Sequence, residues 1–223
     1  MKKIIFIFLL IIPVFLYSYT DIIVIKEQIK KYEDYLEKYP NDTQKMFDLA
    51  RLYEYLGENG SFESFSRAKN IYKNILNISY IPKAQLLYGR VLLKIGKEQW
   101  FIPIKLWYVY SGYSEMSDAV KNDPYSISFH YIRANALYEL KDFPFCVDTS
   151  ISDYEYILNN SNYDSQLLID NNAEILFKLA DLKELKKDYK RAYELYEKIV
   201  KKYKESFYSQ LSKERMKSLV NKK

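Results

Sequence analysis

Few residues in this chain are suited to catalytic chemistry. It holds one histidine, His130, and one cysteine, Cys146. One imidazole leaves little room for a His-based metal site or a catalytic triad. One thiol cannot build a Cys-based zinc centre or a disulfide framework. His130 falls at a packing position of an expected helix, which points to a core role. Paired carboxylates occur at Asp181 with Glu184 and at Asp153 with Glu155. Without a neighbouring His, Cys or constrained loop, such pairs are weak candidates for acid–base work. No Gly-rich phosphate loop is present. The reading is a non-enzyme with no catalytic residue, no cofactor and no metal.

A different chemistry is offered by residues 100–113, WFIPIKLWYVYSGY, where Lys105 is the single charge. Pro103 suits the first turn of a long helix. Leu106, Val109, Tyr113, Met116 and Val120 then form its buried stripe. Trp100, Phe101, Trp107 and Tyr108 are left over. Cover of a neighbouring helix pair is the favoured expectation for them; the alternative is an exposed aromatic patch facing a partner or a membrane interface.

These residues must be positioned by a chain of 223 residues, 48% hydrophobic and 28% charged, with 24 Tyr but only 5 Gly and 6 Pro. That size supports a sizeable core and one or two domains. So few Gly and Pro argue against a turn-rich all-β fold. Lys2 and Lys3 precede an apolar run at 4–17, interrupted by Pro13. A bilayer span needs roughly 20 apolar residues, so the pattern predicts a secretory signal peptide over residues 1–20, with cleavage near Ser18 or Thr20. An uncleaved N-terminal membrane anchor is the alternative. Export to a bacterial periplasm or beyond argues against a nucleic-acid partner, and a lone Cys fits an oxidising compartment. The charge is uneven: residues 183–223 carry 14 Lys/Arg against 6 Asp/Glu, a net +8, so residues 1–182 hold −3 of the total +5. A solvated helix face is the favoured reading of that basic arm, and contact with an acidic surface the sharper one.

From residue 26 onward apolar residues recur every three to four positions, the period of amphipathic helices. Leu176, Leu179, Leu182 and Leu185 make one stripe, and Tyr189, Ala192, Tyr196 and Ile199 another. A polar turn at 186–188 joins them into a helix hairpin. The hairpin recurs. Residues 173–204, with Leu176, Leu179-Ala180, Ala192 and Tyr196, resemble the tetratricopeptide repeat (TPR). So do residues 43–80, with Met46, Leu49-Ala50, Tyr53, Ala68 and Tyr72, where six extra residues around 57–62 would lengthen the turn. Residues 82–124 match through Gln85, Tyr88-Gly89, Leu92, Gly112, Met116, Ala119 and Pro124, with eleven extra residues between the helices. Residues 127–160 match through His130, Ala134 and Leu137, but Cys146 and Ser150 stand where a small and an aromatic residue are expected. Residues 21–40, with Gln28, Tyr32, Tyr35 and Pro40, resemble a lone second helix. Leu211, Met216, Leu219 and Val220 mark a capping helix over 205–220. The spacings of Ala50, Gly89, Ala134 and Ala180, 39, 45 and 46 residues, keep HEAT-like repeats as the second choice of fold.

The resemblance implies an all-α, TPR-like superhelix of stacked antiparallel helix pairs, one domain over residues 21–223, with insertions and a C-terminal cap. It further implies a concave face on the first helices. Carried over, the groove positions are Arg51 and Tyr55; Lys83, Arg90 and Lys94; Tyr131, Asn135 and Tyr138; and Lys178 and Asp181. Only Asn135 fits the clamp by which some TPR proteins hold a peptide carboxylate, so no such clamp is assigned. Arg and Asn pair with peptide oxygens while Tyr adds apolar contact. The expected function is an exported scaffold or adaptor binding a protein or peptide in the cell envelope. The second reading is a small-ligand carrier or accessory subunit of an envelope transport system. Membrane contact is the less favoured expectation, and oligomeric state is left open.

Overall fold

In the computed structural model of the protein, residues 22–160 and 166–219 are described, with the backbone alone for 166–170. The expected signal peptide at 1–20 and Val220 of the cap lie outside these residues. All regular structure among the described residues is α-helix: α1 (22–38), α2 (Thr43–Glu58), α3 (Phe62–Ile78), α4 (Pro82–Glu98), α5 (Ile102–Asn122), α6 (Ile127–Tyr138), α7 (Pro144–Asn159), α8 (Gln166–Leu185), α9 (Tyr189–Lys202) and α10 (Phe207–Leu219). Local chemistry sets several starts. The side chains of Asp42, Ser126 and Asp188 accept from backbone N–H groups inside α2, α6 and α9, while Pro82 and Pro144 open α4 and α7. No described helix is long and apolar enough to cross a membrane.

By proximity the chain divides into two compact units, Met1–Met116 and Ser117–Lys223, with the boundary inside α5. In the first, α2 packs on α3 and α3 on α4. Ala50 and Ala68 are fully buried, and Tyr72, also fully buried, fills the space they leave. The α4–α5 crossing rests on two glycines. A Cβ on Gly89 would meet Met116 Cγ at 2.6 Å and the Gly112 carbonyl at 2.7 Å, and one on Gly112 would meet the Gly89 carbonyl at 2.6 Å. In the second unit α6 packs on α7, α7 on α8, α8 on α9, and α10 on both α9 and α8. Ala180, Ala192 and Tyr196 are fully buried there, and Leu219 of α10 closes the cluster.

Several expectations are corrected. The extra residues do not lengthen turns. They extend helices: α2 runs 16 residues and α3 17, with three residues between them, and α5 runs 21. In the third pair the small and aromatic positions are Ser150 and Tyr154, both fully buried, one turn beyond the expected Cys146 and Ser150. The Ser150 hydroxyl fits against α6 by donating to the Ala134 carbonyl at 3.2 Å. Tyr35, read as a packing residue, is exposed, and Ile29 takes the buried position in α1. The stripe on α5 holds at Val109, Met116 and Val120, but Leu106 faces outward.

Candidate binding face on the first helices

In the first unit, α1, α2 and α4 surround a pocket of about 500 Å³. It gathers three of the expected groove residues, Arg51, Tyr55 and Arg90, beside Ile25 and Tyr32 of α1 and beside Glu54 and Glu58 of α2. Lys83 and Lys94 lie outside its lining. The wall is built on Glu54, which is buried. Its carboxylate accepts from the Tyr72 hydroxyl at 2.5 Å and from Arg90 Nη2 at 2.5 Å. Burial first, then the negative charge of Glu54, pushes the Tyr72 hydroxyl far above the ordinary tyrosine value, so it stays protonated and donates. Arg90 is thereby held in the wall, with its Nε buried and unpartnered. Lys45 neutralises Asp48 at 3.1 Å, and Lys94 lies 3.7 Å from Glu58. Arg51 is exposed and forms no ion pair or hydrogen bond among the described residues. Its guanidinium is flanked by the exposed ring of Tyr55 and the side chain of Leu52.

In the second unit the expected residues do come together, but on one another. Asn135 of α6 accepts from Tyr154 of α7 at 2.9 Å and from Lys178 of α8 at 2.6 Å. Lys178 also pairs with Glu174 at 2.5 Å. Asp181, buried, accepts from Tyr138, Lys141 and Arg215, each at 2.8 Å. Burial and the Asp181 bond raise the Tyr138 hydroxyl, which therefore remains a donor. Tyr131 is half-buried beside Asn135. On this face the expected groove residues are bonded to one another and to Glu174, Lys141 and Arg215.

The expectation that Asp153 has no neighbouring His is corrected: the fold sets His130 beside it. His130 is buried, and its Nδ1 lies 2.6 Å from Asp153 while its Nε2 lies 3.0 Å from the Pro124 carbonyl. Tyr156 stacks on the ring at 4.0 Å. Arg133 grips Asp153 through two bonds of 2.8 and 2.7 Å, the fork geometry that suits a buried carboxylate. Asp181 and Glu184 are both engaged by Arg215. Burial pushes the Cys146 thiol up to about 12. No group of three His, Cys, Asp or Glu that could hold a metal occurs among the described residues.

Sequence reasoning missed Glu54, Arg133 and Arg215. A signal for the first was present: Glu54 and Glu184 each follow the small residue of their helix, Ala50 or Ala180, by one turn. Each accepts from the buried tyrosine of its own pair, Glu184 from Tyr196 at 3.3 Å. The favoured cover of the leftover aromatics is overturned for three of them: Trp100, Phe101 and Trp107 are exposed, and Tyr108 is half-buried against Gly96.

No protein-family model matches the chain, and no curated protein matches it. Among solved structures, a thermophilic TPR protein from Thermus thermophilus superposes with a TM-score of 0.59 at 16% identity, over 86% of this chain and 88% of that one. Together with the paired helices, that likeness shows the fold: an all-α, TPR-like helical repeat.

Proposed function

We propose that this chain is an exported, non-catalytic scaffold that holds an extended peptide segment of a protein partner on the face formed by α1, α2 and α4. One observation carries the reading. Arg51 lies at a pocket of about 500 Å³ with no ion pair or hydrogen bond among the described residues, while the acidic groups around it are paired with other cations. A guanidinium beside tyrosine rings and aliphatic carbons suits a peptide that offers a carboxylate or backbone carbonyl next to an apolar side chain.

The test is a peptide-array screen followed by titration of the best sequences. An Arg51→Ala/Tyr55→Ala variant changes exposed side chains and leaves the Glu54 network intact. It is expected to lose about tenfold or more in affinity, because single anchor residues of this kind carry more than about 1 kcal/mol. Equal binding by the variant and the parent sinks the reading. Arg90 and Asn135 are poor probes, since removing either strands a buried or half-buried bond partner. Export is tested separately, by N-terminal sequencing of the chain from fractionated cells. A start near residue 21 in the envelope fraction supports it, and an intact Met1 in the membrane supports the anchored alternative. The pocket also lies within the usual volume range for small-molecule sites, which favours a ligand carrier as second reading. Native mass spectrometry that finds a small molecule retained, and lost in the same variant, would move the assignment there.

A further inference from the structure

We propose that the corner formed by the α4–α5 turn and the first half of α5 is a membrane-interface anchor that inserts into a lipid headgroup layer. This goes beyond the peptide site and does not depend on it.

Trp100 stands in the turn at 86% exposure, and Trp107, one helix face further on, at 60%. Phe101, Ile102, Ile104 and Tyr110 are exposed around them. On α5 itself the inward face is already filled by Val109, Gly112 and Met116. Lys105 apart, the outward face of its first turns is therefore apolar, and it turns polar at Ser111, Ser114 and Asp118. Exposed apolar side chains in such a contiguous run mark a surface that something covers.

Three observations favour lipid as the occupant. The residue types are those of interfacial anchoring: two Trp and a Tyr, amphipathic rings that settle at headgroup depth, beside Phe and Ile, which reach the acyl boundary. The charge suits an anionic surface. Residues 99–114 contain no acidic side chain, Lys105 lies within the segment, and Lys97 and Glu98 precede it. The patch is also small. A stable second copy would bury about 20–30 residues on each side, whereas the seven large exposed side chains here, Leu106 included, fall well short of that. Shallow lipid insertion needs no matching protein surface. Since no described helix can cross a bilayer, the contact is one of lying in the interface.

Trp100 and Trp107 are the two tryptophans of the chain, so its tryptophan emission reports on this corner alone. That holds even if residues 4–17 also meet lipid. The experiment uses the full chain with vesicles of phosphatidylcholine and phosphatidylglycerol. Expected are red-shifted, quencher-accessible emission in buffer, a blue shift on adding vesicles, and quenching by bromine-labelled acyl chains. A Phe101→Ser/Ile104→Ser variant keeps both reporters and, by circular dichroism, its helices. Its fluorescence-detected partition is expected to fall about tenfold or more, since burying each such side chain strongly favours the bound state. Unchanged emission on vesicles overturns the proposal. So does emission already blue and protected in buffer from a species of twice the chain mass, which would make the corner a self-association surface.

Discussion

Glu54 and Asp153 show how much single buried carboxylates organise here. Each is almost wholly withdrawn from water and bonded on both oxygens. Removing one partner of a buried pair leaves the other charge uncompensated, which is costlier than the pair is stabilising. Asp153→Ala is expected to lower unfolding stability by about 3–5 kcal/mol, because Arg133 and His130 are both left facing a void. Tyr72→Phe should cost only about 1–2 kcal/mol, since Arg90 still neutralises Glu54. Urea titrations of the two variants check the order. Cys146 makes the opposite point. Its buried thiol, pushed up to about 12, is expected to resist a disulfide reagent at neutral pH and to react once the chain is unfolded in guanidinium. Reaction at the same rate in native protein would contradict its burial. The carboxylate pairs were visible from spacing, but their bonding was not. Arg133 lies 20 residues before Asp153, and Arg215 lies 34 after Asp181. Only the folded path of the chain brings them into reach.

Among the helices, what could be read in advance was the small-then-aromatic rhythm. Ala68 with Tyr72 and Ala192 with Tyr196 keep a spacing of one turn, and all four are fully buried. Ser150 with Tyr154 keeps it too, but serine in the small position hides the pattern from a search for alanine. The aromatics of α5 could not be placed in advance, because a helix rich in apolar residues on every side gives no periodic sign of which face is outward. The glycines of α4 and α5 have a sharper meaning. Gly89→Ala gains helix propensity of about 1 kcal/mol but forces two backbones apart, since the added carbon would meet a carbonyl at 2.7 Å. A net loss of about 1–3 kcal/mol is expected in thermal or urea unfolding. The α8–α9 turn allows the reverse experiment. Lys187 holds a left-handed backbone angle, φ 63°, which costs a residue with a Cβ about 1 kcal/mol. Lys187→Gly should therefore stabilise the chain by up to about that amount, as read from the urea midpoint.

Taken as a whole, the molecule has the same fold as a Thermus TPR protein with which it shares 16% identity. In this chain the placing of small, aromatic and apolar residues was the legible part of that fold. The bonding among the surface charges was only partly so. Four of the ten expected groove residues, Lys178, Asn135, Tyr138 and Asp181, sit close enough to bond or stack with one another. The buried tyrosines also give the molecule a defined alkaline limit. Tyr72, Tyr154 and Tyr196 are fully buried, and desolvation first, then nearby acidic groups, raises each hydroxyl above its ordinary 10.0. Above about pH 10 the unfolded chain releases these protons and the native state keeps them. Stability is full below that pH and falls above it, by about 1.4 kcal/mol per pH unit for each tyrosine. Urea midpoints at rising pH should show the decline, and Tyr154→Phe should make it shallower.

The clasp that Arg215 of α10 makes on Asp181 and Glu184 of α8 sets a timetable for the chain's own birth. A ribosome releases α8 and α9 before α10. During that interval Asp181 lacks its arginine, and the surface that Leu219 will cover stays wet. Leu219 reaches its buried place only when the last turn of α10 arrives. Any protease that inspects the nascent chain therefore meets Asp181 and Glu184 unclasped until α10 has emerged. A truncation before Leu219 would leave that surface permanently open to degradation.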